Sequence, residues 1–145
     1  MRTPPTVEFW FDFASNYSYL AALRIEREAA LRGMSVVWRP FLLGPIFQQV
    51  GWNTSPFVLQ KRKGAYVWRD MTRLCAKYGL PAWRVPSVFP RASLLPARIA
   101  LAAHDEAWLP AFCQRVFQRN FVDDHDIHTP QAMTELLTAL GLTAR

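Results

Sequence analysis

Cysteine is scarce in this 145-residue chain, which contains only Cys75 and Cys113 and has no CxxC motif. A dithiol redox centre needs two closely spaced cysteines, and a cysteine zinc site needs several. The sequence therefore excludes both kinds of site. Each cysteine lies in an apolar helical pattern, so we expect two buried free thiols, as is usual in a reducing compartment.

Long hydrophobic runs are absent as well. No stretch reaches the roughly 20 apolar residues that a membrane-spanning helix needs. The opening residues, MRTPP, contain no apolar signal region. Hydrophobic residues nevertheless make up 51% of the chain, which is enough for the core of one domain. These features predict a soluble cytoplasmic protein with no membrane partner.

Acidic residues are in the minority, since 17 Lys and Arg oppose 11 Asp and Glu and the formal net charge is +6. The cations are scattered apart from the run 61–63, whereas nucleic-acid sites usually carry a denser basic footprint. We therefore expect no nucleic-acid partner, while a basic surface suits a small carboxylate ligand. His125 and His128 have no third ligand beside them, so we also expect no metal site.

What is present begins with a strand–helix–strand pattern. Residues 7–13 and 35–41 are short β-favouring apolar runs, and residues 16–32 between them have helical periodicity. Such a unit places its two strands parallel, joined by a right-handed crossover. The apolar face predicted for the helix consists of Leu20, Leu23 and Leu31.

The rest of the chain is predicted to be helical. A parallel sheet of two strands is too small to be covered on both faces, so further strands are either hidden in the segments read as helical or lie beyond Arg145, and we expect the second. The predicted fold is α/β, with a thioredoxin-like βαβ part over 1–45 and an inserted all-helical subdomain over 46–145. The later helices cover 67–78, 94–104, 109–121 and 130–140, with Gly79 ending the first and Ser93 capping the second.

Ser15 lies where the first strand meets the first helix, within the segment DFASNYSY. The first backbone amides of a helix lack partners inside the helix, so a serine here often accepts a hydrogen bond from them as the N-cap. The same hydroxyl can instead donate to an anion or a thiolate bound at this point. Spacing alone leaves both interpretations open.

The segment FDFASNYSYLA resembles the opening of the 2-hydroxychromene-2-carboxylate isomerases and kappa-class glutathione transferases, a branch of the DsbA-like thioredoxin superfamily. Ser15 and Ser18 stand where disulfide-forming relatives carry the two cysteines of CxxC. The resemblance implies glutathione as the cofactor, with Ser15 lowering the pKa of its thiol by hydrogen bonding to the thiolate. Asn16 replaces the proline that usually follows the active-site serine.

Later segments extend this resemblance over about residues 7–142, including PFLLGPIFQQVGWNTSP and KGAYVWRDMTRLCAKYGLP. It implies that Asn53 hydrogen-bonds the tripeptide and that Lys63 meets one of its carboxylates. From the residues alone, Asn53 also fits a turn and Lys63 a solvated cation. The aromatic residues that either line a substrate pocket or pack in the core are Phe47, Trp52, Trp83 and Phe89.

The implied reaction is glutathione-dependent isomerisation of aromatic keto acids of the 2-hydroxychromene-2-carboxylate type, with Ser15 as the catalytic residue. Kappa-type transfer of glutathione to electrophiles is the alternative at the same site. The family's C-terminal portion, with its cis-proline loop, two strands and final helix, has no counterpart before Arg145. A truncated inactive remnant, or a binding module, is therefore a third interpretation. The resemblance also allows a homodimer.

Overall fold

The computed structural model describes residues 3–142, which form two strands and eight helices. The strands are β1 (Thr6–Phe11) and β2 (Ser35–Pro40). The helices are α1 (Asn16–Ala22), α2 (Ile25–Ala30), α3 (Leu43–Gln49), α4 (Pro56–Leu59), α5 (Lys61–Tyr78), α6 (Leu94–Ala102), α7 (Leu109–Phe121) and α8 (Pro130–Ala139).

The two strands pair in parallel, which confirms the strand–helix–strand prediction. Their register runs from Thr6 opposite Ser35 to Phe11 opposite Pro40. Within residues 3–142 they are the whole sheet. Helix α7 packs on α1 and helix α6 on β2, so helices from the later part of the chain cover the small sheet.

Strand β1 ends at Phe11, although the apolar run predicts a strand as far as residue 13. The chain turns at Asp12, whose carbonyl accepts from the Ser15 amide at 2.9 Å and whose side chain accepts from the Ala14 amide at 2.8 Å. Phe13 is therefore a turn residue, yet its side chain is buried. Burial in the core gives Phe13 the same apolar signature as a strand residue.

The prediction of one helix over residues 16–32 is wrong, because the chain breaks between α1 and α2 at Arg24. The Arg24 amide bonds to the Ala21 carbonyl at 3.0 Å, a three-residue spacing that tightens the turn. The Ala22 carbonyl accepts from Nε2 of Gln114 in α7 at 3.1 Å. A tertiary hydrogen bond thus takes up an acceptor that a continuous helix would use itself.

The apolar face predicted for this region is correct only before the break. Leu20 is buried and Leu23 packs against the core. Leu31 is the C-cap of α2 and is 70% exposed, so its predicted place in the core is wrong. The break at Arg24 ends the regular helical phase, and a residue in phase with Leu20 no longer has to face the same way.

One hydrophobic core joins the early and late parts of the chain. Phe11 and Phe13 lie against Phe117 of α7, with ring centroids 5.8 and 5.0 Å apart respectively. Cys75 and Cys113 are buried and free, which confirms their prediction. The division between 1–45 and 46–145 stays a prediction, and this core contains residues from both ranges.

For the later part of the chain, the sequence predicts the number of long helices correctly but not all of their lengths. Helix α7 has its predicted bounds, and α5 ends as predicted at Gly79, whose φ of 62° is left-handed. Helix α5 begins six residues earlier than expected, at Lys61. The short helices α3 and α4 are not predicted. Each contains a proline in its first turn, Pro45 in α3 and Pro56 in α4, and a proline in a short segment of sequence usually indicates a turn.

Helices α4 and α5 touch through a glycine. A Cβ added to Gly64 in α5 would lie well inside contact distance of the backbone oxygen of Phe57 in α4. A carbon and an oxygen cannot approach so closely without contact strain, and the obstacle is backbone, which yields less readily than a side-chain tip. Gly64 therefore fixes how near α4, and with it Phe57, lies to α5.

We expect Gly64→Ala to lower the free energy of unfolding by about 1–3 kcal/mol, because overpacking at backbone outweighs the better helix propensity of alanine. Gly44→Ala in α3 is the matched control, since a Cβ there meets no atom within 4 Å. The control should be neutral or stabilising. Urea denaturation of both variants measures the difference, and equal effects would contradict the close approach of α4 to α5.

Candidate functional site

A cleft of about 780 Å³ lies where the carboxyl ends of β1 and β2 meet. Its walls come from the β1–α1 turn, the β2–α3 connection, the start of α4 and the segment before α6. In that last segment the peptide bond between Phe89 and Pro90 is cis. Ligands of parallel α/β sheets commonly bind at this edge, and the volume suits a small-molecule site.

Ser15 lies in the cleft wall as the N-cap of α1. Its Oγ accepts a hydrogen bond from the Ser18 amide at 3.2 Å, which confirms the capping interpretation. The hydroxyl proton has no acceptor among residues 3–142, so Ser15 can cap the helix and donate to a ligand at the same time. Ser18 does not line the cleft; its Oγ accepts from the Asp12 amide at 3.3 Å.

Asp12 is only 4% exposed, and its side chain is hydrogen-bonded to three of the segments that form the cleft wall. Its Oδ1 accepts from the Ala14 amide at 2.8 Å and from the Ser93 hydroxyl at 2.7 Å. Its Oδ2 accepts from the Leu43 amide at 2.8 Å. These donors belong to the β1–α1 turn, the start of α6 and the start of α3. Sequence reasoning missed Asp12, although it is an acid at the end of an otherwise apolar run.

Ser93 immediately precedes α6, as predicted, but its side chain does not cap that helix. The hydroxyl donates to Asp12 instead. A hydroxyl can donate and accept at once, so the bond to Asp12 does not by itself prevent capping. A serine N-cap usually accepts from the amide two or three residues further on, and Pro96 at the third position has no N–H. The predicted capping role is therefore wrong, and Ser93 connects α6 to the strand edge.

We expect Asp12→Asn to destabilise the protein by about 1–3 kcal/mol, the cost of a buried unpaired donor. An amide offers one acceptor oxygen, so in either orientation its NH₂ faces a backbone N–H, of Ala14 or of Leu43. Ser93→Ala leaves both backbone donors bonded and should cost about 1 kcal/mol. Guanidinium denaturation measures both, and an Asp12→Asn protein as stable as the parent would contradict this arrangement.

The predicted binding residues fall into two groups. Asn53 lines the cleft and is exposed, and the aromatic side chains Phe47 and Phe89 line it as well. Trp52 does not line the cleft but packs behind Phe47, with ring centroids 5.7 Å apart. Trp83 does not line the cleft either; its ring stacks on that of Trp68, with ring centroids 5.7 Å apart.

Lys63 is exposed in the first turn of α5 and does not line the cleft. Its Nζ lies 6.0 Å from the centre of the Phe57 ring, which does line it. The lysine is thus separated from the cleft by one aromatic side chain. Because the lysine side chain is long and flexible, Lys63 can reach the edge of the cleft next to Phe57, which is called the rim below.

The DSBA-like thioredoxin domain family matches residues 6–145 of this chain. The chain belongs to that family. It is also similar to the glutathione S-transferase kappa 1 of Caenorhabditis elegans, with 23% identity over 95% of the chain and 63% of the relative. A solved structure of a 2-hydroxychromene-2-carboxylate isomerase has 24% identity, a TM-score of 0.80 and coverage of 95% of this chain and 66% of that one.

These comparisons establish the fold of this DSBA-like chain. It spans about two thirds of the length of the relatives that it matches, or slightly less. The described residues supply the two-stranded parallel sheet and the helices around it.

No thiol of residues 3–142 reaches the cleft of this DSBA-like chain. Burial raises the pKa of Cys75 and, more strongly, that of Cys113, so both thiols stay protonated in the neutral range. A protonated buried thiol is a poor nucleophile. Chemistry in the cleft that uses the chain's own groups therefore falls to hydroxyl, amide, guanidinium and carboxyl groups, the last from Asp12.

Arg91 is a cleft residue that sequence reasoning missed. It is 8% exposed, and its Nε donates to Oδ1 of Asn120 at 3.0 Å. Its Nη2 forms an ion pair with Asp124. Hydrogen bonds from Ser87 and from Arg91 hold the pKa of Asp124 below its usual range. The positive charge of Arg91 is therefore neutralised within the protein, and nothing in the local sequence reveals that pairing.

Tyr17 lines the cleft beside Ser15, and its hydroxyl donates to Oδ2 of Asp70 in α5 at 2.8 Å. Partial burial and this interaction with Asp70 raise the pKa of Tyr17 from 10.0 to about 12. The phenol is thus neutral throughout the physiological range and ties α1 to α5. The Tyr17 hydroxyl therefore holds α1 next to α5 by a hydrogen bond and does not serve as a general base.

We expect Asp70→Asn to lower the pKa of Tyr17 only part of the way from about 12 towards 10.0, because burial is the larger cause. The raised value means that Tyr17 contributes stability in full below pH 10, and that this contribution is lost as the pH rises through about 12. Absorbance titration at alkaline pH, with Tyr17→Phe to assign the phenol, measures both effects. A Tyr17 pKa near 10 in the parent protein would contradict the Asp70 contact.

Among residues 3–142 no three metal-ligating side chains come together, and His128 pairs with Asp126. Nor is any helix among residues 3–142 both long and apolar enough to span a membrane.

Proposed function

We propose that this chain forms the glutathione site of a glutathione-dependent isomerase that acts on aromatic keto acids of the 2-hydroxychromene-2-carboxylate type. Ser15 is the proposed catalytic residue. One observation carries the proposal: the Ser15 hydroxyl lies in the wall of a cleft at the β1–α1 turn, with its proton uncommitted. In a thioredoxin-like fold without a thiol at this point, a hydroxyl cannot form a disulfide but can stabilise a thiolate brought by a ligand.

The residues around Ser15 fit such a ligand. Asn53 offers an exposed carboxamide in the cleft wall, which suits the peptide groups of a tripeptide. Phe47 and Phe89 provide apolar surface beside it, which suits an aromatic substrate. Lys63 is proposed to meet a carboxylate at the rim, beyond the ring of Phe57. The substrate pocket of this proposal therefore contains Phe47 and Phe89, with Trp52 supporting Phe47 and without Trp83.

When bound, glutathione supplies a thiol that adds reversibly to a conjugated carbon of a substrate and permits bond rotation. The part of Ser15 is to donate its hydroxyl proton to the sulfur, which favours the charged form and lowers the pKa of the thiol. The Ser18 amide donates to the same hydroxyl oxygen and holds it in place. An accepted hydrogen bond also polarises the hydroxyl and makes it a better donor.

We expect Ser15→Ala to raise the pKa of the bound glutathione thiol by about one to two units, the equivalent of one lost charge-assisted hydrogen bond. Thiolate absorbance during pH titration of the complex measures this shift, and isomerisation of 2-hydroxychromene-2-carboxylate should fall with it. Ser15→Thr keeps a hydroxyl at the cap and should retain most of the effect.

Loss of the helix cap has to be separated from loss of the donor. Thr129 caps α8 by accepting from the Ala132 amide at 3.2 Å and is not part of the cleft wall. The Thr129 hydroxyl also donates to Asp126. Thr129→Ala should therefore cost about 1–2 kcal/mol of stability, at least as much as Ser15→Ala, without changing glutathione binding. If the two variants bind glutathione alike, Ser15 is a cap and nothing more.

Kappa-type transfer of glutathione to electrophiles is the second candidate, and the similarity to the Caenorhabditis elegans glutathione S-transferase kappa 1 favours it. It uses the same Ser15 site with a different second substrate. Parallel assays with a chloronitrobenzene and with 2-hydroxychromene-2-carboxylate distinguish the two reactions. Calorimetric titration with glutathione comes first, because absence of binding to this chain would favour the inactive remnant or binding module.

A further inference from the structure

Two asparagines are almost fully covered by protein, yet their amide groups differ. Asn120 is 0% exposed, and both ends of its amide are bonded: its Oδ1 accepts from Arg91 at 3.0 Å, and its Nδ2 donates to the Phe13 carbonyl at 3.0 Å. Asn16 is 1% exposed, and its Nδ2 has no hydrogen-bond partner among residues 3–142. Buried polar groups are nearly always paired in folded proteins, so the unpaired Nδ2 of Asn16 needs a cause. The other buried side-chain atom without a partner among residues 3–142 is the Tyr19 hydroxyl, which does not line the cleft.

The position of Asn16 suggests the cause. It is the first residue of α1, directly after Ser15, and it lines the same cleft. The charged groups of that wall are already engaged. Asp12 is occupied by three donors from the protein, and Arg91 is paired with Asp124. The amide of Asn16 is thus a polar group of the cleft wall that the protein itself leaves unused.

An apolar residue at this position would avoid the cost of burying an unpaired donor. An amide here gains free energy only when an acceptor from outside the chain pairs with it. A carboxamide is neutral, and its natural complement is the carbonyl oxygen of a peptide group. No hydrogen bond to the protein fixes the orientation of this amide, and a half-turn about the soft Cβ–Cγ torsion exchanges the places of its nitrogen and its oxygen.

We propose that Asn16 is a ligand-binding residue whose Nδ2 donates a hydrogen bond to a peptide carbonyl oxygen of the tripeptide that Ser15 holds. The assignment rests on the proposed function, because it takes glutathione as the occupant of the cleft. Ser15 and Asn16 then form a pair of consecutive donors at the start of α1. Ser15 donates to the sulfur of the ligand, and Asn16 donates to a peptide carbonyl oxygen of the same ligand.

The test compares Asn16→Leu with Asn120→Leu, two near-isosteric changes at equally buried asparagines. Asn16→Leu removes an unpaired donor, so its melting temperature should equal or exceed that of the parent protein. Glutathione should bind it about fivefold to tenfold more weakly in calorimetric titration, as expected for one lost hydrogen bond. Asn120→Leu should lower the melting temperature clearly, because Arg91 and the Phe13 carbonyl lose their partner.

Asn16→Asp provides a second variant of nearly the same shape that has an acceptor in place of the donor. It should bind glutathione more weakly still. The assignment is overturned if the parent protein binds glutathione and Asn16→Leu and Asn16→Asp bind it equally well. It is also overturned if Asn16→Leu loses stability as Asn120→Leu does, since the amide would then have a structural partner. Failure of the parent protein itself to bind glutathione would instead remove the proposed function, and this assignment with it.

Discussion

The buried side chain of Asp12 is the constraint on which the arrangement of the cleft depends. A carboxyl group with 4% exposure must find its hydrogen-bond donors inside the protein. It finds them in the Ala14 and Leu43 amides and the Ser93 hydroxyl. The segments that follow β1, follow β2 and precede α6 therefore converge on one point. The same turn places Ser15 at the start of α1, so the wall of the candidate site is shaped by a residue that need not touch a ligand.

Two polar networks of the cleft contrast with its unpaired groups. The side chain of Asp12 accepts its hydrogen bonds from groups of the protein, and Arg91 is bonded to Asn120 and Asp124 in the same way. The Ser15 hydroxyl proton and the Asn16 nitrogen remain without partners among the described residues. Polar networks that are fully bonded hold a site rigid, while unpaired donors in the same wall are available to a ligand. This division between support and recognition underlies the glutathione site proposed for this DSBA-like chain.

Local sequence patterns were informative wherever local forces decide the structure. The alternation of apolar runs predicted both strands and their parallel pairing, and Gly79 marked the end of α5. They failed where a distant residue intervenes. Gln114 takes the Ala22 carbonyl and helps to break the predicted first helix, and Leu31 consequently lies in solvent. Trp83 and Phe89 are both candidate pocket residues by sequence and both pack on Trp68, but only Phe89 lines the cleft.

Three features were predictable from residue order: a serine stands where a parallel strand passes into a helix, no CxxC is present, and the cysteines are buried. These features depend on residue type and short-range periodicity, which are properties of the chain alone. Three others emerge only from the folded chain: Asp12 joins three segments, Asp124 neutralises Arg91, and Asn16 lacks the partner that Asn120 has. The reason is physical: a hydrogen bond between residues far apart in sequence exists only once packing has brought donor and acceptor together.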